Sequence, residues 1–497
     1  MKSDRPNIIF ILADDMGYGD VSCLNEHSRI KTTHLDNMAR EGMSFRDAHA
    51  SSAVCTPSRY SILTGRYNWR SQLKKGVLRG YSDPLIEPGR MTVASLLKDH
   101  GYTTACIGKW HLGWSWTKNG KSEEDVDFKK PITNGPVNVG FDYFFGISAS
   151  LDMPPYVYIE NNKVTAIPDR IIPKGKGKTF WREGVIAPDF KHEEVLPKLA
   201  DKAVQFINAN ANDKAPFFLF FALPAPHTPI LPTAEFVGKS GTNEYGDFCL
   251  QVDSVAGQIT KALEHNKITE NTILIFTSDN GCAPNANFDE LARCGHHPSY
   301  VFRGHKADIY EGGHRIPLIV RWPRQIAAGA ATSETVCLVD LMATCAEILG
   351  ARLPDNAGED SISNLSVWQG RQLNTSLREA TIHHSMNGSF SIRQGKWKLE
   401  MCPGSGGWSY PRPGEESEGF PAIQLYDLTD DIGERRNVFN KHPEMIKHLK
   451  TLLEKYIRNG RSTPGVPQAN TGSPSWPQLQ WMMEKNGELT ESDTNGV

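Results

Sequence analysis

Three apolar runs, each followed at once by polar residues, constrain the fold of this chain most strongly. They are Asn7–Leu12, Pro216–Leu223 and Thr272–Thr277. Continuous apolar runs of this length are typical of buried parallel strands, because helices cover both faces of such a sheet. Stretches with helical periodicity alternate with these runs, at Thr33–Gly42, Met91–His100, Glu193–Ala211 and Tyr245–His265. The sequence therefore predicts an α/β fold with a large, mostly parallel sheet sandwiched between helices.

The length of 497 residues suits one large α/β domain and a smaller one. The pattern changes after about residue 365, where short strand-like segments precede an amphipathic helix at Glu444–Arg458. We therefore predict an α/β domain over residues 1–365. We predict a C-terminal α+β subdomain over residues 366–497, built from a small antiparallel sheet and that helix.

Composition and charge narrow the class of protein. The formal net charge of −3 gives no reason to expect nucleic acid or an anionic membrane as a partner. No apolar run reaches the ~20 residues that a membrane-spanning helix needs. The 9 cysteines are spread along the chain without a CxxC pair, so the sequence predicts no disulfide framework. We therefore predict no nucleic-acid partner and no membrane span.

Two of the apolar runs end in oxygen-bearing side chains. Asp14 and Asp15 follow the first run, and Asp279 and Asn280 follow the third. Open α/β sheets bind ligands at the carboxyl ends of their strands, which is where both pairs lie. Oxygen ligands of this kind favour a hard cation such as Ca²⁺ or Mg²⁺. Without further evidence, a solvated loop explains Asp14 and Asp15 equally well.

The stretch Cys55–Arg59 predicts a loop that enters a helix. Thr56 is a suitable N-cap, and Pro57 suits the first helical position, because its missing N–H would have no partner there. Cys55 would then precede a helix N-terminus, where backbone N–H groups favour negative charge, with Arg59 about one turn further on. Such a cysteine is either a reactive thiolate or, more commonly, a buried structural residue.

Taken with its neighbours, this stretch resembles the signature of a known family. Cys55-Thr56-Pro57-Ser58-Arg59 followed by Leu63–Arg66 is similar to the motif of the formylglycine-dependent type I sulfatases, in the alkaline-phosphatase-like superfamily. Other stretches resemble the family in the same order, at Ala13–Asp20, Gly108–Gly113, Gly140–Gly146, Pro224–Pro229, Ser278–Gly281 and Gly304–Pro317. The resemblance therefore covers nearly the whole chain and implies the family's fold.

The resemblance also implies the cofactors. In this family a maturation enzyme oxidises the cysteine to Cα-formylglycine, whose hydrated aldehyde is the nucleophile. It implies a Ca²⁺ ion held by five residues, Asp14, Asp15, the modified Cys55, Asp279 and Asn280.

Six residues are implied to be catalytic, Cys55, Arg59, Lys109, His111, His227 and Lys306. In the roles carried over from the family, Lys109 and Lys306 bind the sulfate group. His227 protonates the leaving alcohol, and His111 assists the step that regenerates the aldehyde.

The substrate class is a further prediction, because specificity lies in the loops around a shared pocket. Candidate substrate-contacting residues lie at Ser150, Asp152, His296, His297, Arg303, His305, His384 and Trp408. Histidines and arginines around a polar cleft suit sugar hydroxyls better than a flat aryl group. We therefore predict a carbohydrate sulfatase that acts on a sulfated galactose or N-acetylgalactosamine unit of a glycan.

Two alternatives stay open. One is a phosphodiesterase or phosphonate monoester hydrolase of the same superfamily, although two lysines and a His-x-Pro sequence favour sulfate. The other is a non-catalytic relative that binds sulfated glycans, and the intact Cys-x-Pro-Ser-Arg sequence argues against it.

The resemblance further implies two partners: a sulfated saccharide, and a formylglycine-generating enzyme or an anaerobic sulfatase-maturating enzyme. The chain enters its first predicted strand almost at once, without a signal peptide. Because the family is largely exported, we expect a periplasmic or secreted protein whose leader is missing from this sequence. A cytoplasmic location is also compatible with the sequence.

Overall fold

A ten-stranded sheet forms the centre of the molecule in the computed structural model, which describes residues 5–482. The strands of the larger N-terminal part are β1 (Asn7–Asp14), β2 (Met43–Phe45), β3 (Ala48–His49), β4 (Thr103–Lys109), β5 (Tyr143–Ile147), β6 (Ile159–Glu160), β7 (Lys163–Val164), β8 (Arg170–Ile172), β9 (Gly184–Ile186), β10 (Phe217–Pro226), β11 (Thr272–Ser278), β12 (Leu318–Arg321), β13 (Ala330–Thr332) and β14 (Val336–Cys337). Its helices are α1 (Thr33–Arg40), α2 (Cys55–Thr64), α3 (Val93–Asp99), α4 (Val195–Asn210), α5 (Glu244–His265), α6 (Phe288–Arg293), α7 (Glu311–His314), α8 (Leu341–Leu349) and α9 (Leu365–Trp368).

The strand order in the central sheet is β13-β2-β12-β11-β1-β10-β4-β5-β6-β7. Strand β1 pairs in parallel with both β10 and β11, and β4 pairs in parallel with β10 and β5. Strand β12 runs antiparallel to β11 and to β2. The predicted α/β fold with a mostly parallel sheet is confirmed. The carboxyl ends of β1, β4, β10 and β11 therefore meet at one edge of the sheet.

The three predicted apolar runs form the three adjacent strands in the middle of the sheet. Every residue of β10 is buried, and so is every residue of β11. Strand β10 extends three residues beyond the predicted end, to Pro226, so that it delivers the next residue directly to the carboxyl edge. Helices α4 and α5 pack against each other and against β10, which closes one face of the sheet.

Helix α2 begins two residues earlier than predicted. Cys55 is its first residue and Val54 is the N-cap, so the prediction that Thr56 caps the helix was wrong. The Thr56 hydroxyl oxygen instead accepts a hydrogen bond from the backbone N–H of Leu78 at 3.2 Å. All ten residues of α2 are buried, and the helix ends at Gly65, whose φ of 63° is a left-handed conformation that suits glycine.

The C-terminal part forms the predicted small antiparallel sheet and helix. Strands β15 (Thr381–His384), β16 (Phe390–Gln394), β17 (Trp397–Glu400) and β18 (Gln424–Asp427) pair in that order, and helix α10 (Pro443–Arg458) contacts β16. The division at residue 365 stays a prediction, and its last part, residues 483–497, lies outside the described residues.

Buried charged contacts join the C-terminal sheet to the α/β part. Both terminal nitrogens of Arg393 donate to the carboxylate of Asp47, each at 2.8 Å. The backbone carbonyl of His384 accepts from the N–H of Ala53 at 2.9 Å and from the hydroxyl of Ser52 at 3.0 Å. The C-terminal sheet therefore contacts the chain two residues before Cys55.

Within residues 5–482, no helix combines the length and the apolar character that crossing a bilayer requires. The cysteines, all of which lie in this described range, are free thiols without disulfides.

Candidate active site

Cys55 lies at the carboxyl edge of the sheet, at the start of α2, with only 2% of its surface exposed. Burial raises the pKa of its thiol above the ordinary value, although the ammonium groups of Lys109 and Lys306 act in the opposite direction. The unmodified side chain is therefore a neutral thiol near neutral pH. This electrostatic environment disfavours a reactive thiolate, one of the two interpretations that the sequence left open.

The two pairs of oxygen-bearing residues meet beside Cys55. Asp14 ends β1, and Asp15 follows it with a φ of 67°. The amide of Asn280 donates to Asp15 Oδ1 at 2.7 Å, and the backbone N–H of Asp15 donates to Asp279 Oδ1 at 3.3 Å. Atoms of Asp14, Cys55 and Asp279 that can ligate a metal lie within 4.8 Å of one another.

Three buried cations surround these carboxylates. Nε and Nη2 of Arg59 donate to Asp279 Oδ2 at 3.0 and 2.8 Å. Lys109 Nζ donates to Asp14 Oδ2 at 2.7 Å, and Lys306 Nζ lies 2.7 Å from each carboxylate oxygen of Asp15. Each cation thus pairs with a different aspartate, which stabilises charged groups that burial would otherwise penalise.

The ion pairs outweigh burial at two of these groups. Burial raises the pKa of Asp14, but Lys109, His227 and Arg59 oppose it and hold the pKa well below its ordinary value. Burial likewise lowers the pKa of Lys306, but the charge of Asp15 raises it above the ordinary value of a lysine. Asp14 and Lys306 are therefore charged at neutral pH, and the site carries both signs of charge at close range.

The donor set fits a hard cation. Asp14 Oδ1 and Asn280 Oδ1 are buried, and neither has a hydrogen-bond partner among the described residues. Oxygens that only accept, buried without a donor, are costly unless a cation ligates them. Together with the neighbouring carboxylates of Asp15 and Asp279, they make an oxygen-rich group of the kind that Ca²⁺ prefers.

His111 is a neutral, buried imidazole with one free nitrogen. Its Nε2 lies 2.8 Å from the backbone carbonyl of Leu78, which can only accept, so Nε2 carries the proton. Nδ1 is therefore a free acceptor, and it has no partner among the described residues. Burial, with the charge of Lys109, holds the pKa of His111 well below its ordinary value.

His227 follows the last residue of β10 and is 6% exposed. Its Nδ1 lies 2.5 Å from the backbone carbonyl of Thr228, so Nδ1 is the donor of that hydrogen bond. Its Nε2 lies 3.6 Å from Asp15 Oδ2, on the side of the carboxylates. The Thr228 contact therefore fixes which nitrogen of His227 points towards the centre of the site.

The structure brings the predicted catalytic and metal-binding residues into one buried cluster, but the predicted substrate-contacting residues lie in different surroundings. His296 uses both ring nitrogens inside the protein, with Asp20 at 2.8 Å and the N–H of Arg29 at 3.3 Å. Asp152 is buried in an ion pair with Arg182, and the buried hydroxyl of Ser150 has no partner among the described residues.

The other candidates differ in exposure and in contacts. His297 is exposed, and Arg303 stacks over the Tyr310 ring at 3.9 Å. His305 precedes Lys306, and its Nδ1 donates to the Lys306 carbonyl at 2.9 Å. His384 is buried, and both of its ring nitrogens lack a hydrogen-bond partner among the described residues.

Trp408 is 42% exposed, and its backbone N–H donates to Asp308 Oδ1 at 2.7 Å. This contact ties a loop of the C-terminal part to the segment that carries Lys306. Nothing in the sequence points to the carbonyls of Leu78 and Thr228, which fix the tautomers of His111 and His227. Backbone carbonyls leave no signal in a sequence, so only the fold reveals them.

Comparison with known proteins agrees with this geometry. The family model described as Sulfatase matches residues 6–351. An N-acetylgalactosamine-6-O-sulfatase of Bacteroides thetaiotaomicron is 34% identical over 493 residues, covering 91% of this chain and 93% of the relative. An N-acetylgalactosamine-6-sulfatase of Rattus norvegicus is 29% identical, covering 94% and 87%.

A solved structure is also similar, a 6S-sulfatase described in a study of glycosaminoglycan metabolism by Bacteroides thetaiotaomicron. It has a TM-score of 0.81 and 34% identity, and the match covers 91% of this chain and 99% of that one. The family match extends over more than half of the chain, and it includes the Cys55 helix and the residues that cluster around it. The chain therefore belongs to the sulfatase family and is an enzyme that hydrolyses sulfuric esters.

Proposed function

We propose that this sulfatase removes an O-sulfate group from an N-acetylgalactosamine or galactose unit of a glycan, with the 6-O-sulfate as the preferred position. The similarity to an N-acetylgalactosamine-6-O-sulfatase over 91% of the chain carries this proposal. The polar side chains of His297 and His305, which are not fully buried, support it, because sugar hydroxyls need hydrogen-bond partners.

Cys55 is the proposed nucleophile after oxidation to Cα-formylglycine. The raised pKa of the thiol supports this, because a neutral buried thiol is a poor nucleophile. The position of Sγ, next to Asp14 and Asp279, stands in for the oxygen that the oxidised and hydrated residue would carry. The modification would supply an oxygen nucleophile in place of the thiol. A serine would not be equivalent, because it has one hydroxyl group where the hydrated aldehyde has two.

A Ca²⁺ ion is the proposed metal, with Asp14, Asp15, residue 55, Asp279 and Asn280 as the residues that hold it. Two buried oxygens without a hydrogen-bond donor, Asp14 Oδ1 and Asn280 Oδ1, support this assignment. The ion would supply positive charge towards the sulfate oxygens.

Lys109 and Lys306 hold the substrate sulfate in this proposal. Both ammonium groups act electrostatically on Cys55, so both lie within reach of a group bound there. Fixed positive charges in a buried site stabilise the negative charge that develops on sulfate oxygens without reorganisation. Arg59 contributes by holding Asp279 in place.

The two histidines have separate proton-transfer roles. His111, neutral and free at Nδ1, is suited to accept a proton. His227 presents Nε2 towards the site and, when protonated, is suited to donate a proton to the departing sugar oxygen. Their different hydrogen-bond partners keep the two roles apart.

A substrate panel tests the proposal. Protein produced with a formylglycine-generating enzyme is assayed for kcat/KM on 6-O- and 4-O-sulfated N-acetylgalactosamine, 6-O-sulfated galactose, 4-nitrophenyl sulfate and a phosphate diester of the same phenol. Mass spectrometry of the peptide that contains Cys55 quantifies the aldehyde. The expected result is the highest kcat/KM on a 6-O-sulfated sugar, in proportion to the aldehyde content. Turnover of aryl sulfate or phosphate diester alone would overturn the proposal.

A further inference from the structure

An open cavity of about 440 Å³ lies next to the catalytic cluster. Its walls include Lys178, Asn285, Asn287, Phe288 and Asp289. None of the residues that line it is Cys55, a sulfate-binding lysine or a catalytic histidine. The cavity is thus separate from the sulfate pocket, and its volume falls in the range of ~300–1,000 Å³ typical of small-molecule sites.

Two contacts tie the walls of this cavity to the catalytic residues. The hydroxyl of Thr228 donates to the backbone carbonyl of Lys178 at 3.0 Å, and Thr228 is the residue that fixes His227. The ring of Phe288 lies 5.2 Å from the ring of His305, the neighbour of Lys306. The cavity therefore borders the side of the site where His227 would protonate the leaving group.

The backbone also connects the wall of the cavity to the segment that carries Lys306. The backbone N–H of Lys306 donates to the carbonyl of Cys282 at 2.9 Å, two residues after Asn280. The same segment continues into the wall that carries Asn285 and Asp289. The wall that carries Asn285 and Asp289 is therefore continuous with the segment that holds the backbone of Lys306.

The chemistry of the walls suits a sugar. Asn285 and Asp289 are exposed and offer amide and carboxylate groups to hydroxyls, while the Phe288 ring offers an apolar face. The charge suits an uncharged sugar in particular. Glu244 and Glu290 both pair with the ammonium of Lys178, so its positive charge is compensated and Asp289 adds a negative one.

We propose that this cavity binds the saccharide unit next to the sulfated one and selects an uncharged unit over a uronic acid. The inference rests on the proposed function, because it assigns a second subsite to the same glycan. The sulfated ring itself does not occupy the cavity, since its sulfate must reach Lys109, Lys306 and residue 55.

Matched substrates test this subsite in the matured enzyme. They are the sulfated monosaccharide that the wild type hydrolyses fastest and two disaccharides in which that unit is linked to a neutral hexose or to a uronic acid. The variants are Asn285→Ala and Asp289→Asn. The control is Asp213→Asn, an exposed aspartate that lines a cavity at the opposite, amino edge of the sheet.

In the wild type, we expect kcat/KM for the neutral disaccharide to exceed that for the monosaccharide about three- to tenfold, as one or two hydrogen bonds provide. Asn285→Ala should remove this advantage and leave monosaccharide turnover unchanged. Asp289→Asn should raise kcat/KM for the uronic acid disaccharide about fivefold. Asp213→Asn should match the wild type throughout.

Equal wild-type kcat/KM for the monosaccharide and the neutral disaccharide would overturn the subsite while leaving the proposed function intact. If Asn285→Ala and Asp289→Asn keep the wild-type ratios of kcat/KM between the substrates, the subsite is likewise overturned and the proposed function stands. Failure of the wild type on every sulfated saccharide would overturn the proposed function, and the subsite with it.

Discussion

Two nitrogens of Arg59 donate to the same oxygen of Asp279, at 3.0 and 2.8 Å, in a fully buried ion pair. The third nitrogen, Nη1, donates to the backbone carbonyl of Lys109 at 3.0 Å. The Arg59 guanidinium therefore links helix α2 both to Asp279, which follows β11, and to Lys109, the last residue of β4.

Replacing the buried arginine should destabilise the protein strongly. Burial raises the pKa of Asp279 to about 6 even beside Arg59. Arg59→Ala removes a cation that opposes this effect and leaves the buried carboxyl without its ion pair, so we expect the free energy of unfolding to fall by about 3–5 kcal/mol. Urea denaturation followed by circular dichroism measures this. The control is Arg412→Ala, which breaks an exposed ion pair with Glu416 and should leave the free energy of unfolding close to that of the wild type. Equal effects of the two variants would contradict the prediction.

Metal removal should lower both stability and activity. A ligand that binds only the folded state stabilises it by about 2.7 kcal/mol when its concentration is 100 times its Kd. We expect a chelator to lower the Tm and added Ca²⁺ to restore it, as measured by scanning calorimetry. Asn280→Ala, which removes one of the two buried oxygens without a hydrogen-bond donor, should weaken this Ca²⁺ response. A Tm that the chelator leaves unchanged would argue against a bound metal.

The role proposed for His227 predicts a dependence on the leaving group. A sugar alkoxide needs a proton as it departs, whereas 4-nitrophenolate is stable without one. We therefore expect His227→Ala to lower kcat by about 10²–10⁴-fold on a sulfated sugar and far less on 4-nitrophenyl sulfate. Parallel steady-state assays with both substrates give the comparison. A uniform loss on both substrates would mean that His227 acts on the sulfate or on the metal site instead.

Acid should destabilise the junction at the C-terminal sheet through His384. Burial lowers the pKa of His384 to about 4, whereas the unfolded chain has the ordinary value of 6.5. The unfolded state therefore takes up the proton first as the pH falls, and stability is lost between about pH 6.5 and pH 4. Protonation linked to His384 can therefore lower the free energy of unfolding by at most about 3 kcal/mol.

Free energies of unfolding measured at pH 8, 6.5, 5 and 4 should show this loss in the wild type. His384→Gln should flatten the dependence, whatever its effect at pH 8. The exposed His265→Gln variant should keep the wild-type slope. Parallel curves for the wild type and His384→Gln would assign the acid sensitivity to other groups.

The sequence predicted the centre of the fold well because burial on both faces leaves a direct trace in it. The runs that became β1, β10 and β11 contain little except apolar residues, and the polar residues after them reach the sheet edge by geometry alone. Helix boundaries that depend on contacts with distant segments were harder to predict. Threonine is common at N-caps, but the Thr56 hydroxyl accepts a hydrogen bond from the N–H of Leu78, and the helix begins at Cys55 instead.

The surroundings of the site were the least predictable part. Nothing near His296 in the sequence indicates that Asp20 holds its ring, because that contact joins segments far apart in the chain. The same is true of the cavity beside Thr228, whose walls come from a loop around Lys178 and from the segment after Asn280. Motifs identify the residues that perform the reaction, whereas the shape around them depends on packing between distant loops.

The burial of helix α2 sets an order of events in the life of the chain. Cys55 and its nine successors are buried, and the elements packed against them include the short helix Leu338–Asp340 and α8, which lie far later in the chain. If Cys55 is oxidised as proposed, a maturation enzyme would have to reach it before those later segments fold onto α2. After they have packed, an oxidation that was missed would stay missed in that molecule.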